Sequence, residues 1–452
     1  MSVRALPALL GASILTGCSP RPVEVPSVLL IAVDTLRADH LSCYGYERET
    51  SPNIDGLAAR SVRYANAYSP APWTRPAMAS ILTGWYPSTH TFDQVGRDLP
   101  EEVPTLAERF SDEGFVTGMI NSNVLLRRGS GLGQGFEVYQ DAEARGHEHV
   151  STPGVTNRAV KFLEQRAEDE QPFFLSLLYF DPHYAYLDHP GIDFAKIPTG
   201  RIESGQSIHH LRKLGPDLRP AEVQTLLDLY DEEIRFTDRG IGRLLRRLED
   251  LELASSTVIV LTADHGEEFF EHGWLGHTRN LYDDLLHVPL VLHDPRSPEN
   301  GNVVTDSVTT VSIAATLNEL CELGAARLAF QAPALPRLDT GAPFDLYAEV
   351  DFYPVKNTGE DKRAKMRSLR RRSEKLIWDE LTPETLLFDM EEDPGELRDL
   401  AVERSEVASE LRFELDQLVS ALGTLGVTAG ATSAPSASDL EALRALGYAG
   451  EE

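Results

Sequence analysis

An α/β fold is expected, built on a large, mostly parallel sheet sandwiched by helices, with a smaller C-terminal antiparallel sheet plus a helix. Three observations predict it. Val28–Val33 and Thr257–Thr262 are uninterrupted apolar runs of strand length, the pattern of strands buried on both faces. Strand and helix patterns alternate along most of the chain, as they do when helices cover both faces of a parallel sheet. From about Asp339 the alternation gives way to short strands in succession and then one helix.

Taken in order, Val28–Val33 is the first strand, and Asp55–Arg60 and Thr105–Phe110 read as short helices. Between these two, Asn66–Gly84 (NAYSPAPWTRPAMASILTG) holds a helix that begins near Thr74. Pro76 stands in its first turn, where no intrahelical amide is lost, and Gly84 is a natural stop. Gly114–Ile120 is the next strand, and Asn121–Gly135 a Gly-rich loop. Val155–Ala167 has helical spacing, and Phe173–Tyr179 is again a buried strand. The polar stretch Asp188–Arg219 reads as an excursion over the active-site face that shapes substrate choice. Glu222–Leu251 is a long amphipathic helix, and Val288–His293 a strand. Asp345–Ala348, Met366–Leu369, Leu376–Asp379 and Leu386–Asp389 are the short strands of the second sheet, followed by a helix over Arg404–Leu422.

The chain has 452 residues, with 42% hydrophobic and 25% charged content, enough for a large domain and a smaller one. Its net charge of -29 argues against nucleic acid as a partner. A small anionic substrate stays compatible, because a metal ion and a few arginines reverse the sign locally. Residues 1–18 read as a lipoprotein signal peptide: Arg4, an apolar stretch from Leu6 to Ile14, and Leu15-Thr16-Gly17-Cys18. Cys18 would carry the lipid and tether the protein to a membrane without spanning it, in the bacterial cell envelope, facing the periplasm or exterior. Residues 19–26 form a Pro-rich linker, 27–335 the catalytic domain, 336–422 the C-terminal α+β subdomain, and 423–452 a linker and terminal helix. Cys43 and Cys321 are too few for a disulfide scaffold. The oligomeric state is left open.

Chemistry-bearing residues stand at strand ends. Asp34 ends the first strand, Asp181-Pro182-His183 follows Phe173–Tyr179, and Asp264-His265 follows Thr257–Thr262. Ligands of open α/β sheets lie beyond the strands' carboxyl ends, so Asp34, Asp264 and His265 could meet Thr74 around one metal ion. Threonine before a helix is most often only a cap. The same place at a helix's positive end also suits an attacking oxygen, provided another group activates it. Three more groups, His272, His277 and Arg279, crowd the loop after Asp264-His265.

The blocks VDTLRADHLSCYGY, TSPNIDGLA, ILTGWYPSTH, FDPH, TADHGEEFFEHG and LYDDLLHVPLVL, then MRSLRRRSEKLIW, LLFDMEEDPGELRDLA and LRALGY, occur in one order from Val28 to Tyr448. In them the chain resembles the sulfatase family of the alkaline phosphatase superfamily, which implies an alkaline-phosphatase-like fold and a metal-dependent ester hydrolase or transferase. The resemblance also implies that Thr74 stands where sulfatases carry the cysteine or serine that becomes formylglycine. No formylglycine is expected here, because oxidising a secondary alcohol gives a ketone. Thr35 replaces a second metal aspartate, and the sulfate-gripping lysine and histidine have no counterparts around Asn121–Val124. In its threonine the chain is similar to lipoteichoic acid synthases and phosphoethanolamine transferases.

These features lead to an expected site. Thr74 is the nucleophile, and His183 or His277 protonates the leaving oxygen. Arg75, Arg279 and His272 bind substrate. Asp34, Thr74, Asp264 and His265 bind one divalent metal ion, with manganese or zinc favoured by the imidazole and calcium or magnesium possible. The substrate is a small anionic ester, either a phosphate mono- or diester or, as the alternative, a sulfate ester. A catalytically inactive binding protein of the same fold is the remaining reading.

Overall fold

The computed structural model describes residues 25–429, except 145–149, 170, 195–199, 325–328, 342–343 and 353–362, together with residue 443. The signal-peptide reading, the lipid site Cys18 and all but Leu443 of the terminal helix lie outside the described residues. No helix among the described residues is long and apolar enough to cross a membrane.

The main sheet contains β1 (Ser27–Val33), β2 (Val62–Tyr68), β3 (Val116–Asn121), β4 (Val138–Gln140), β5 (Phe173–Tyr179) and β6 (Thr257–Ala263). After a small hairpin of β7 (Glu268–Phe269) and β8 (Leu275–Gly276), it is completed by β9 (His287–His293), β10 (Val303–Val304) and β11 (Val308–Thr309). The order is β10-β2-β9-β6-β1-β5-β3-β4, with β11 also on β2. β1 lies at the centre, parallel to both β5 and β6, with Val33 level with Tyr179 and Ala263. Every residue of β1, β5 and β6 is buried, as uninterrupted apolar runs require when both faces are covered.

β9 runs antiparallel to β6 and to β2, so the sheet is mixed. β2 is an element the pattern reading overlooked. Its sequence VRYANAY carries arginine and asparagine among aromatics, so no apolar run marks it. The helix Ser312–Leu320 was overlooked likewise. Separate apolar cores pack on the two faces. One sets the long helix Pro220–Asp250 and the helix Thr152–Arg166 against β1 and β5. The other buries the Thr74–Thr83 helix and the helix Leu106–Asp112.

The second sheet is antiparallel, in the order β12 (Leu346–Phe352), β13 (Ala364–Arg371), β14 (Glu374–Asp379), β15 (Glu384–Asp389), and the helix Ser405–Leu425 packs on it. That helix runs three residues past the expected end, into the stretch read as a linker. The two parts are joined by polar as well as apolar contacts. The Glu349 amide donates to the Pro70 carbonyl at 2.9 Å, and Phe352 packs edge-on against Trp73. Lys375, 3% exposed, donates to Asp283 at 2.6 Å and lies 2.8 Å from Glu396, and Arg370 donates to Asp283 at 2.8 Å. Removing one partner of such a network strands buried charge. Lys375→Met is therefore expected to destabilise the fold by about 3 kcal/mol, measured as a lowered midpoint in urea unfolding.

Candidate active site

Adjacent parallel strands bring their carboxyl ends to one edge, and the site is assembled there. Asp34 leaves β1 with its amide bonded to the Tyr179 carbonyl at 2.8 Å. The next residue, Thr35, has φ 56°, a left-handed conformation costly for a β-branched side chain. It is held by a hydrogen bond from its amide to Asp264 Oδ1 at 3.2 Å and by Tyr230, whose hydroxyl donates to the Thr35 carbonyl at 2.7 Å. Asp264 and His265 leave the neighbouring strand β6, and all three side chains are fully buried.

Thr74 is the first residue of its helix and not its cap. Trp73 occupies the cap position, and no side chain caps that end. The Thr74 hydroxyl is thus available to the site: Oγ1 lies 3.4 Å from His265 Nε2 and accepts from Asn123 Nδ2 at 3.2 Å. Gly84 ends the helix in the left-handed region, as expected.

His265 Nδ1 is bonded to the Gly266 carbonyl at 2.8 Å, so it carries the proton and Nε2 presents its lone pair. Nε2 lies 3.6 Å from Asp34 Oδ1 and 3.5 Å from Asp264 Oδ2. Those two buried carboxylate oxygens have no hydrogen-bond partner. Burial first, and then the charge of Asp264, push the Asp34 carboxyl well above its ordinary value, and burial raises Asp264 as well. Two unpaired buried oxygens, one imidazole lone pair and one hydroxyl around a common point form the donor set of a divalent cation. Donors about 2.1 Å from a tetrahedral ion lie roughly 3.4 Å apart, which these spacings match. Of the four expected ligands, Asp34, Asp264 and His265 form the described residues' one cluster of metal-ligating type, with Thr74 beside them.

Asn123 was not anticipated. It follows β3 and donates to Asp34 Oδ2 at 2.7 Å as well as to Thr74, tying the hydroxyl to the carboxylate. Its position just past a strand's carboxyl end was the available signal. Glu267 and Tyr186 were missed too. Glu267 Oε1 is 2.7 Å from His277 Nδ1, and its other oxygen accepts from the Tyr186 hydroxyl at 3.1 Å. Burial pushes the Glu267 carboxyl up to about 7. The His277 ring lies 4.5 Å from that of His265 and 5.0 Å from that of His183, so both expected proton donors reach the site's edge. The neighbouring Thr278 amide bonds the Pro72 carbonyl at 3.1 Å, which holds this loop against the approach to Thr74.

Two expected substrate contacts are corrected. Arg75 is buried and turned away: its guanidinium donates to the Leu125 carbonyl at 2.8 Å and to the Arg97 carbonyl, and lies on the Phe92 ring. The residue after Thr74 on a helix projects about 100° round its axis, here into the core. His272 is spent in an ion pair with Asp284 at 3.3 Å and stacks on Tyr282. Arg279 lies over Trp274, its guanidinium carbon 3.8 Å from the ring centre.

The sulfatase family model matches residues 26–323, more than half of the chain, and this chain belongs to that family. A second model, the C-terminal region of N-sulphoglucosamine sulphohydrolase, matches residues 270–421. Among individual proteins, human iduronate 2-sulfatase is 27% identical over an alignment of 334 residues that covers 60% of each chain. The chain thus spans about 60% of the length of that relative. The uncharacterized sulfatase YidJ of Escherichia coli K12 is 23% identical, covering 83% of both. Solved structures share the fold. A protein in complex with its substrate D-glucosamine-2-N,6-O-disulfate aligns with TM-score 0.72 at 22% identity, over 89% of this chain and 98% of the other. A phosphonate monoester hydrolase from Silicibacter pomeroyi aligns with TM-score 0.68 at 22% identity, over 88% and 95%.

Asp34→Asn separates the site's two demands. Relieved of one buried charge, the metal-free variant is expected to melt above the metal-free wild type. It should also lose most of the upward shift in melting temperature that manganese or zinc produces in the wild type, read by calorimetry with and without the ion.

Proposed function

We propose that this chain hydrolyses, or transfers the phosphoryl group of, a small phosphate ester, with Thr74 as nucleophile. The observation that carries the reading is the Thr74 hydroxyl held 3.4 Å from His265 Nε2 and bonded through Asn123 to Asp34, while the cap position of its helix falls on Trp73. Asp34, Asp264, His265 and Thr74 would hold one divalent cation, and the mixture of carboxylate and imidazole favours manganese or zinc. When bound, such an ion lowers the pKa of a hydroxyl and draws charge from the oxygens of an ester.

Thr74 Oγ1 loses its hydroxyl proton to solvent and attacks phosphorus, and the bond to the leaving oxygen breaks. Asn123 orients the hydroxyl, and the positive end of the helix that begins at Thr74 favours an anionic phosphoryl group. His277, fixed in orientation by Glu267, donates a proton to the leaving oxygen, and His183, edge-on to it with ring centres 5.0 Å apart, is the alternative donor. Water, or a second alcohol in a transfer reaction, then attacks the phosphothreonine and returns a proton to the histidine, while the bond between phosphorus and Thr74 Oγ1 breaks and Oγ1 regains a proton from solvent. Arg279, whose guanidinium lies over Trp274 two residues past His277, is the candidate for the non-bridging oxygens of the attacked group. A lipid on Cys18 and a place in the bacterial envelope belong to the same reading on sequence grounds.

The second reading, sulfate-ester hydrolysis without formylglycine, is favoured by the relatives' names: an iduronate 2-sulfatase, and a protein solved with a disulfated glucosamine as substrate. Activity assays separate the two. With the metal-loaded protein, Thr74→Ala is expected to lower kcat on 4-nitrophenyl phosphate by about a thousandfold or more, and intact mass after substrate is expected to show a phosphoryl adduct on wild type alone. Undiminished turnover by the variant removes Thr74 from the reaction. Sulfate release from 4-nitrophenyl sulfate in place of phosphate release supports the second reading. A chain that takes up no divalent ion supports a binding protein instead.

A further inference from the structure

Tyr230 lies on the long helix Pro220–Asp250, fully buried, and its hydroxyl closes the turn that follows β1. It donates to the Thr35 carbonyl at 2.7 Å and accepts from the Arg37 amide at 3.0 Å. Its ring is wedged among others, with centres 4.9 Å from Phe269 of β7, 5.0 Å from His40 and 6.0 Å from Tyr186. Phenylalanine would fill the same space, so the hydroxyl is what tyrosine adds here, and both its hydrogen bonds among the described residues go to the turn. Burial pushes the phenol well above its ordinary value, which keeps it a donor.

The turn it closes is the one that aims the two buried carboxylates. Thr35 sits at φ 56°, where a β-branched residue is strained, and it stays there only while its neighbours hold it. Its amide faces Asp264 Oδ1 at 3.2 Å, which leaves Oδ2 for the point shared with His265 Nε2, 3.5 Å away. Just before it, the Asp34 amide is fixed to the Tyr179 carbonyl at 2.8 Å. The amide of Thr35 thus orients Asp264, while its carbonyl is fixed by Tyr230. Without that hydroxyl the Thr35 carbonyl and the Arg37 amide lose a buried partner, and Thr35 is held through its amide alone. Relaxation of φ out of the left-handed region then changes the angle between Asp34 and the chain beyond it, and draws the Thr35 amide off Asp264.

We infer that Tyr230 is a positioning residue for the divalent cation: by locking Thr35 in its left-handed turn, it presets Asp34 and Asp264 to receive the ion. The inference rests on the cation reading above. Tyr230 acts through Thr35, so its effect is separable from mere support of the fold. A tyrosine that only supported the fold would lower the melting temperature and leave the affinity of the folded protein alone. A positioning tyrosine changes that affinity, and its effect disappears once the strain at residue 35 is removed, because glycine adopts φ 56° without steric cost.

The full chain and its variants are titrated with manganese chloride by isothermal titration calorimetry, at a temperature where circular dichroism shows each to be folded. Tyr230→Phe is expected to bind manganese about 10- to 100-fold more weakly than the wild type. In a Thr35→Gly background the same change should have little effect, since the strain that the lock opposes is gone. Hydrogen exchange of the metal-free proteins gives a second readout, and Tyr230→Phe should exchange faster over residues 34–37. Wild-type affinity in Tyr230→Phe, or a loss of equal size in both backgrounds, overturns the inference. If Tyr230→Phe alone does not fold while the double variant folds and binds, the lock is supported. If neither folds, the tyrosine serves the fold at large and the inference falls. A wild type that takes up no ion overturns the cation reading itself, which tells that failure apart from failure of the lock.

Discussion

Two carboxylates that ought to repel each other are buried side by side at the ends of neighbouring strands, and the rest of the site is arranged around that conflict. Asp34 and Asp264 each turn one oxygen to backbone or side-chain donors and leave the other without a partner. In a protein interior an unpaired anionic oxygen is among the most expensive features a fold can carry. It persists here because the strands that supply it form the middle of a nine-stranded sheet whose packing is decided elsewhere, by apolar cores on both faces. The same sheet holds Thr35 in its left-handed turn and aims both carboxylates at one point. A cation at that point would convert the conflict into the strongest local attraction in the molecule.

Thr74 acquires chemical meaning from what its helix does not ask of it. A threonine whose oxygen caps amides is already occupied, whereas this one begins the helix and leaves the cap position to Trp73. Trp73 is in turn pinned by Phe352 of the second sheet, and the Pro70 carbonyl just before it by the Glu349 amide. The C-terminal sheet therefore buttresses the approach to Thr74, though it contributes no group to the cluster of Asp34, Asp264 and His265. The ion network of Lys375, Arg370, Asp283 and Glu396 fastens that buttress, so damage there is transmitted to the site through geometry.

The outer ring of the site follows a different logic. His277 and Arg279 stand on the stretch that follows the short hairpin β7–β8, and the excursion between β5 and the long helix reaches that hairpin through Arg212, whose Nε donates to the Leu275 carbonyl at 2.8 Å. Loops carried on a rigid sheet can vary without disturbing the strand ends, which is where substrate choice is best placed. The fold is shared with a protein solved in complex with its substrate D-glucosamine-2-N,6-O-disulfate and with a phosphonate monoester hydrolase, so fold alone does not fix the substrate.

Much of this was legible in the amino-acid order alone. The apolar runs of β1, β5 and β6, the helix start near Thr74 with its stop at Gly84, and the metal set of Asp34, Asp264 and His265 all follow from patterns local to a few residues. Strand β2 was not legible, because its burial comes from partners on β9 that local polarity conceals. Side-chain direction was not legible either. Arg75 and His272 have the right charge in the right neighbourhood, yet helix geometry sends one into the core and Asp284 claims the other. Asn123, Glu267 and Tyr230 carry no signature of their own and become functional candidates only through neighbours 49, 10 and 195 residues away. By itself the sequence determined the strand ends and the kinds of groups they offer, since periodicity and residue chemistry are short-range properties. Which groups face one another was decided only by the tertiary structure, because that depends on how distant segments pack.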